Sequence, residues 1–218
     1  MSRVIQVFSD YSCPFCYIGE ETLRRSVRVA GGEIVRRAWL LRVDGPPRLD
    51  PMGEAMNEGW RNTIYPMAER LGVEIRQPSR APLTRMAHEA AAWARTQGRL
   101  EEFHRGLFKL LFVEDQDIGD VEVLKELAWK IGLNSSVLAG VLEGGEMTDE
   151  VDEDLLIART YGIKGVPTYV IGGHLIYGVQ EDQALIRAIE TAREGRFNGE
   201  MQKLPNLPIN ITKAKLHS

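Results

Sequence analysis

Ser9-Asp10-Tyr11-Ser12-Cys13-Pro14-Phe15-Cys16-Tyr17-Ile18-Gly19 decides how this chain is read, because it holds both cysteines of a 218-residue sequence. Two cysteines three positions apart admit three chemistries: a metal site, a structural staple or a redox pair. Zinc takes about four ligands, and His88, His104, His174 and His217 are scattered without ligand spacing. No metal is therefore expected within one chain, although a site shared between two chains stays open. A disulfide at this spacing closes a tiny loop and constrains the unfolded chain little, and it would not persist in a reducing compartment. A working redox pair is the best of the three.

The flanking pattern places the pair. Residues 3–8 are rich in Val, Ile and Phe and read as a buried strand. Residues 14–30 read as a helix with Pro14 at its first position, where a fixed φ and a missing N–H do no harm. On a helical wheel Phe15, Cys16, Ile18, Leu23, Val27, Val29 and Ala30 share the half expected to face the core. Glu20, Glu21, Arg24, Arg25 and Arg28 share the half expected to face solvent. Cys16 therefore faces inward, and Cys13 sits at the helix start. Free amides and partial positive charge at that end favour a thiolate. Cys13 is the expected nucleophile and Cys16 the resolving thiol.

Gly31-Gly32 ends the helix, and residues 33–42 read as a second strand, parallel to the first through a βαβ crossover. Asp44-Gly45-Pro46-Pro47 opens a linker. Residues 52–143 carry helix signals and no clear strand, with Asp120 and Asn134 or Ser135 as candidate caps. Thr148 is the candidate cap of an acidic-fronted helix that ends at Gly162. Residues 165–178 read as two short strands around Gly172-Gly173, with His174 expected in solvent beside that turn. Residues 182–193 read as a last amphipathic helix. The order, β-α-β, helical block, α-β-β-α, predicts an α/β domain from residues 1–45 and 148–196. An all-helical insertion at 46–147 interrupts it, and a tail at 197–218 follows.

With those elements placed, the motif resembles the active-site segment of the DsbA-like oxidoreductases, and most closely their FrnE-like branch. Ala87-His88, the Glu114-Asp115-Gln116-Asp117-Ile118-Gly119-Asp120 stretch, residues 162–173 and Gly178-Val179-Gln180 agree in order, so the resemblance covers about residues 3–195. It implies a thioredoxin-like fold with a helical insertion and a thiol–disulfide oxidoreductase that needs no resident cofactor. Protein or small disulfides and thiols would be its substrates, with glutathione as a candidate co-substrate. Cys13 and Cys16 match the redox pair. Pro167 matches a cis-proline that faces the pair, which places Pro14, Phe15, Val166 and Pro167 as substrate contacts. An X–Pro bond can be cis at small cost. Phe15 departs from the family, where Trp or His is usual: it neither donates a hydrogen bond nor carries charge toward Cys13.

Other features bound the function. Net charge is −4, with 44% hydrophobic and 27% charged residues, so no nucleic-acid partner is expected. No apolar run reaches the roughly 18 residues of a membrane span, and the N-terminal run is too short and mixed for a secretory signal. A cytoplasmic location is expected. Tyr17 is a candidate for the substrate surface or for packing under the helical block, and His88 for a structural hydrogen bond. The tail, residues 197–218, would be held by the helical block or form a homodimer contact. Two other functions compete. Glutathione-binding 2-hydroxychromene-2-carboxylate isomerases and kappa-class glutathione transferases share the split fold but typically carry Ser at the position of Cys13. A non-catalytic, chaperone-like module would use the helical block alone.

Overall fold

Residues 4–195 are described by the structure, a computed structural model; the expected tail contact lies outside them. Four strands form one sheet in the order β2-β1-β3-β4. β1 (Val4–Ser9) runs parallel to β2 (Glu33–Ala38), from Val4 opposite Glu33 to Ser9 opposite Ala38. The connecting helix α1 spans Pro14–Ala30, and the βαβ reading holds. β3 (Thr168–Ile171) pairs antiparallel with β1 and with β4 (His174–Tyr177). Gly172 and Gly173 both take positive φ, 57° and 81°, which a two-residue hairpin turn of this hand requires.

Period-two alternation gives the sheet two apolar faces. Ile5, Val7, Tyr169 and Ile171 pack with Leu23 of α1 and with Leu185, Ile189 and Ala192 of α9 (Asp182–Glu194). Phe8, Val170 and Leu175 pack on the other face with Ala158 of α8 (Thr148–Thr160) and with Ile163.

Between β2 and α8 the chain is mostly helical. A π-helical segment (Trp60–Ile64) joins α2 (Glu54–Gly59) to α3 (Tyr65–Leu71). After a loop come α4 (Arg85–Thr96), α5 (Leu100–Phe112), α6 (Val121–Lys130) and α7 (Ser135–Glu143). Asp120 caps α6 by accepting from the Glu122 amide, and Asn134 caps α7 by accepting from Ser136 and Val137. The largest apolar cluster joins this block to the start of α1. It contains Tyr11, Cys13, Cys16 and Ile18 together with Trp93, Phe103, Leu107, Phe108 and Phe112.

Five local expectations change. β2 stops at Ala38 rather than residue 42: Trp39 N–H still reaches Ser9 O at the end of β1 (2.9 Å), but Leu41 N–H turns to the Asp10 carboxylate (2.6 Å). Thr148 is the first residue of α8 rather than its cap, and its hydroxyl donates to Glu89. His174 is buried, with Nδ1 3.1 Å from Gly172 O. Val29 is 73% exposed, and Glu20 is buried rather than solvent-facing.

Candidate active site

Cys13 occupies the N-cap of α1 with extended dihedrals (φ −92°, ψ 113°), and Pro14 follows at the first helical position. Its N–H donates to Asp10 O (3.1 Å), while its carbonyl accepts from the Cys16 and Tyr17 amides (3.0 and 3.2 Å). Cys16 therefore stands one turn into the helix. Both are free thiols and nearly covered, at 4% and 3% exposure. The helical block covers Cys13 as well as Cys16, which a wheel drawn for α1 alone does not reveal.

Asp10 fixes the approach to the helix. It is fully buried, and one carboxylate oxygen accepts from the Ser12 N–H (2.7 Å) and hydroxyl (2.8 Å). The other accepts from Leu41 N–H. One side chain thus ties the turn before Cys13 to the segment after β2.

The Val166–Pro167 peptide bond is cis, as the resemblance implied, and the Cys13 thiol donates to Val166 O at 3.7 Å. Pro14 and Phe15 are half-buried beside the pair. Burial, then the neighbouring Cys13 thiol, push the Cys16 thiol well above its ordinary value. Cys16 thus resists ionisation in this dithiol state.

A buried polar network underlies the pair. The Tyr11 hydroxyl lies 2.9 Å from His104 Nδ1, and His104 Nε2 faces Glu20 at 3.3 Å. Glu20 pairs with Arg36, which also reaches Glu101 at 2.6 Å. Burial opposes the charge on Glu20, but His104 and Arg36 outweigh it and hold its carboxyl down to about 2. Burial keeps His104 below its ordinary value, and burial pushes the Tyr11 hydroxyl above its own. Tyr11 is therefore the donor to Nδ1, and the imidazole proton rests on Nε2 toward Glu20.

His88 packs on the Tyr11 ring at 4.6 Å, and burial brings its imidazole down to about 4. Tyr17 stacks on Phe108 and Phe112 with centroids 5.5 Å apart, so it serves packing under the block. Glu20, Arg36, His104 and Asp10 carry no sequence motif that marks them as site residues. The signal that was available was an acid within the apolar-rich start of α1. Among the described residues no group of His, Cys, Asp or Glu is arranged to hold a metal ion.

A dithiol at a helix start, set against a cis-proline on a four-stranded mixed sheet, is a thioredoxin-like arrangement. Residues 4–190 match the family model of the DSBA-like thioredoxin domain, and the chain belongs to that family. It is 34% identical over 193 residues to the uncharacterized protein YwbO of Bacillus subtilis (strain 168), covering 87% of this chain and 96% of that one. A probable DsbA oxidoreductase from Streptomyces coelicolor superposes with a TM-score of 0.76, at 24% identity over 93% of both chains. A 2-hydroxychromene-2-carboxylate isomerase has the same fold, with a TM-score of 0.71 at 18% identity, covering 88% of this chain and 96% of that one.

Proposed function

We propose that this protein is a thiol–disulfide oxidoreductase working through Cys13 and Cys16. The Cys13 thiolate attacks one sulfur of a substrate disulfide, forms a mixed disulfide and expels the first substrate thiolate. Cys16, once deprotonated, attacks Cys13 sulfur, releases the second thiolate and leaves a Cys13–Cys16 disulfide. Two electrons pass to the substrate, and the reverse sequence oxidises a dithiol. The observation that carries this reading is the position of Cys13 at the N-cap of α1, with Cys16 one turn deeper.

The half-buried Pro14 and Phe15, with Val166 and Pro167 across from Cys13, are the proposed substrate contacts. An extended substrate would meet the Val166 backbone. Protein disulfides and small disulfides or thiols are the proposed substrates, glutathione among them, with no resident cofactor. The proposed division keeps residues 1–45 and 148–196 as the thioredoxin-like part and 46–147 as the helical insertion, and the proposed compartment is the cytoplasm. None of the described helices is long and apolar enough to cross a membrane.

Insulin reduction with dithiothreitol as electron source tests the reading. The wild type should accelerate it, and Cys13→Ser should abolish the acceleration. A glutathione-dependent isomerase or transferase would instead keep its turnover in Cys16→Ser, and a binding module would be indifferent to Cys13→Ser.

A further inference from the structure

A second surface borders the residues that flank the proposed nucleophile, although Cys13 itself does not line it. Ser12 and Pro14, on either side of Cys13, form one wall of a pocket of about 320 Å³ that neither Val166 nor Pro167 lines. Leu41, Leu49, Met56, Trp60 and Leu111 make most of the rest apolar. Its volume lies at the lower end of small-molecule sites, which run from about 300 to 1,000 Å³. The walls are tied down before any ligand arrives. Asp10 holds Leu41 N–H, and the Arg42 guanidinium donates to both Gly45 O and Ala81 O, joining the loop after β2 to the loop before α4.

Charge selects the occupant. Arg42, Arg48 and Arg80 line the pocket, and no Asp or Glu does among the described residues. Arg80 lies 3.7 Å from Asp115, whereas neither Arg42 nor Arg48 has a carboxylate partner among the described residues. An apolar floor rimmed by guanidinium groups recognises an apolar body with one anionic group.

We propose that this pocket makes the protein selective for small disulfides that carry an aromatic-sized apolar body and a carboxylate. The proposal rests on the oxidoreductase reading for its chemistry. With such an aryl disulfide, the Cys13 thiolate forms an S–S bond to one arylthio group and expels the other as thiolate. Cys16 then displaces the bound arylthiolate and closes the Cys13–Cys16 disulfide. The dithiol is oxidised by two electrons, the aryl disulfide is reduced to two arylthiolates, and two thiol protons pass to solvent.

Titration calorimetry separates pocket from chemistry. The ligand is biphenyl-4-carboxylate and the protein the full chain with Cys13→Ser and Cys16→Ser, which cannot react. Saturable binding of one equivalent is expected. Arg48→Ala, an exposed position whose loss should not disturb folding, should weaken it about tenfold. Met56→Trp, which fills the pocket, should abolish it. No binding, equal binding of biphenyl-4-carboxamide, or binding indifferent to both substitutions would overturn the proposal. The wild type should also reduce 5,5′-dithiobis(2-nitrobenzoate) faster, relative to each compound's rate with free dithiothreitol, than uncharged 4,4′-dithiodipyridine; equal enhancement would overturn the selectivity. Loss of disulfide reduction in Cys13→Ser, with insulin or with a small disulfide, reports on the parent reading alone, so carboxylate binding without Cys13-dependent turnover of either would sink that reading and leave the pocket standing.

Discussion

Cys13 Sγ lies 3.7 Å from the carbonyl oxygen of Val166, a residue 153 positions away in the chain. This contact sets the segment leading into β3 against the start of α1 and makes Cys13 the thiol facing the proposed substrate-binding backbone. Cys16, equally covered, is held as a thiol by burial and by Cys13.

Alkylation should therefore discriminate between the cysteines by protonation more than by exposure. With iodoacetamide between pH 6 and 9 and peptide mapping, Cys13 should be modified first. Cys16 should lag even in Cys13→Ser, because burial alone still raises its thiol. Faster labelling of Cys16 would reverse the assigned roles.

Asp10 anchors three hydrogen bonds with one buried carboxylate, two from Ser12 and one from Leu41 N–H. Hydrogen bonds to charged groups contribute about 1.5–3 kcal/mol each, and their losses do not add fully. Asp10→Ala should cost about 3 kcal/mol or more in urea unfolding, and Asp10→Asn less. It should also slow insulin reduction, since the turn carrying Cys13 loses its tie.

The Glu20–Arg36 pair is buried at both ends. Removing one partner strands the other, at a cost of about 3–5 kcal/mol. Glu20→Leu and Arg36→Met should each destabilise on that scale, while the double variant Glu20→Leu with Arg36→Met should recover much of the loss. Additive losses in this cycle would mean that the two side chains do not depend on each other.

Stability should fall as the solution is acidified. Glu20 has its folded value near 2 against an ordinary 4.5, so its contribution is present above 4.5 and is lost as pH falls toward 2. The full shift corresponds to roughly 3 kcal/mol. His88 also lies below its ordinary value, at about 4 against 6.5, so the unfolded chain takes up its proton first. That contribution begins to fade below pH 6.5 and is gone near pH 4. Urea midpoints from pH 7.5 to 3 should drop in both windows, and Glu20→Gln should flatten the lower one.

Gly19 admits no side chain without displacement. A Cβ there would meet the Tyr169 hydroxyl at 2.6 Å and Pro167 Cγ at 3.3 Å. Tyr169 is fully buried, so Gly19→Ala should destabilise by about 1–3 kcal/mol. Tyr169→Phe removes the clashing oxygen and should partly rescue it in the double variant, read by thermal melts.

Much of this was legible in local sequence. Cys13-Pro14-Phe15-Cys16 announced a helix start, Gly172-Gly173 a hairpin turn, and Asp120 and Asn134 their helix caps, each through a single-residue conformational demand. What stayed hidden depends on distant partners. Glu20 falls on the polar half of the α1 wheel, and only Arg36 from β2 and His104 from α5 make its burial tolerable. His174 looked like a turn residue until Gly172 O gave its ring a partner. The pocket beside Pro14 draws on two proline-containing loops and on Met56, Trp60 and Leu111 from separate helical segments, so no single periodic pattern marks its apolar side chains as one surface.

The central claim, that Cys13 attacks and Cys16 resolves, is tested most directly by trapping. Cys16→Ser protein mixed with a disulfide-containing peptide should accumulate a stable one-to-one mixed disulfide, located on Cys13 by non-reducing peptide mass mapping. The wild type should pass through it to a free Cys13–Cys16 disulfide. No adduct on Cys13, or an equal adduct on Cys16 in Cys13→Ser, would contradict the account.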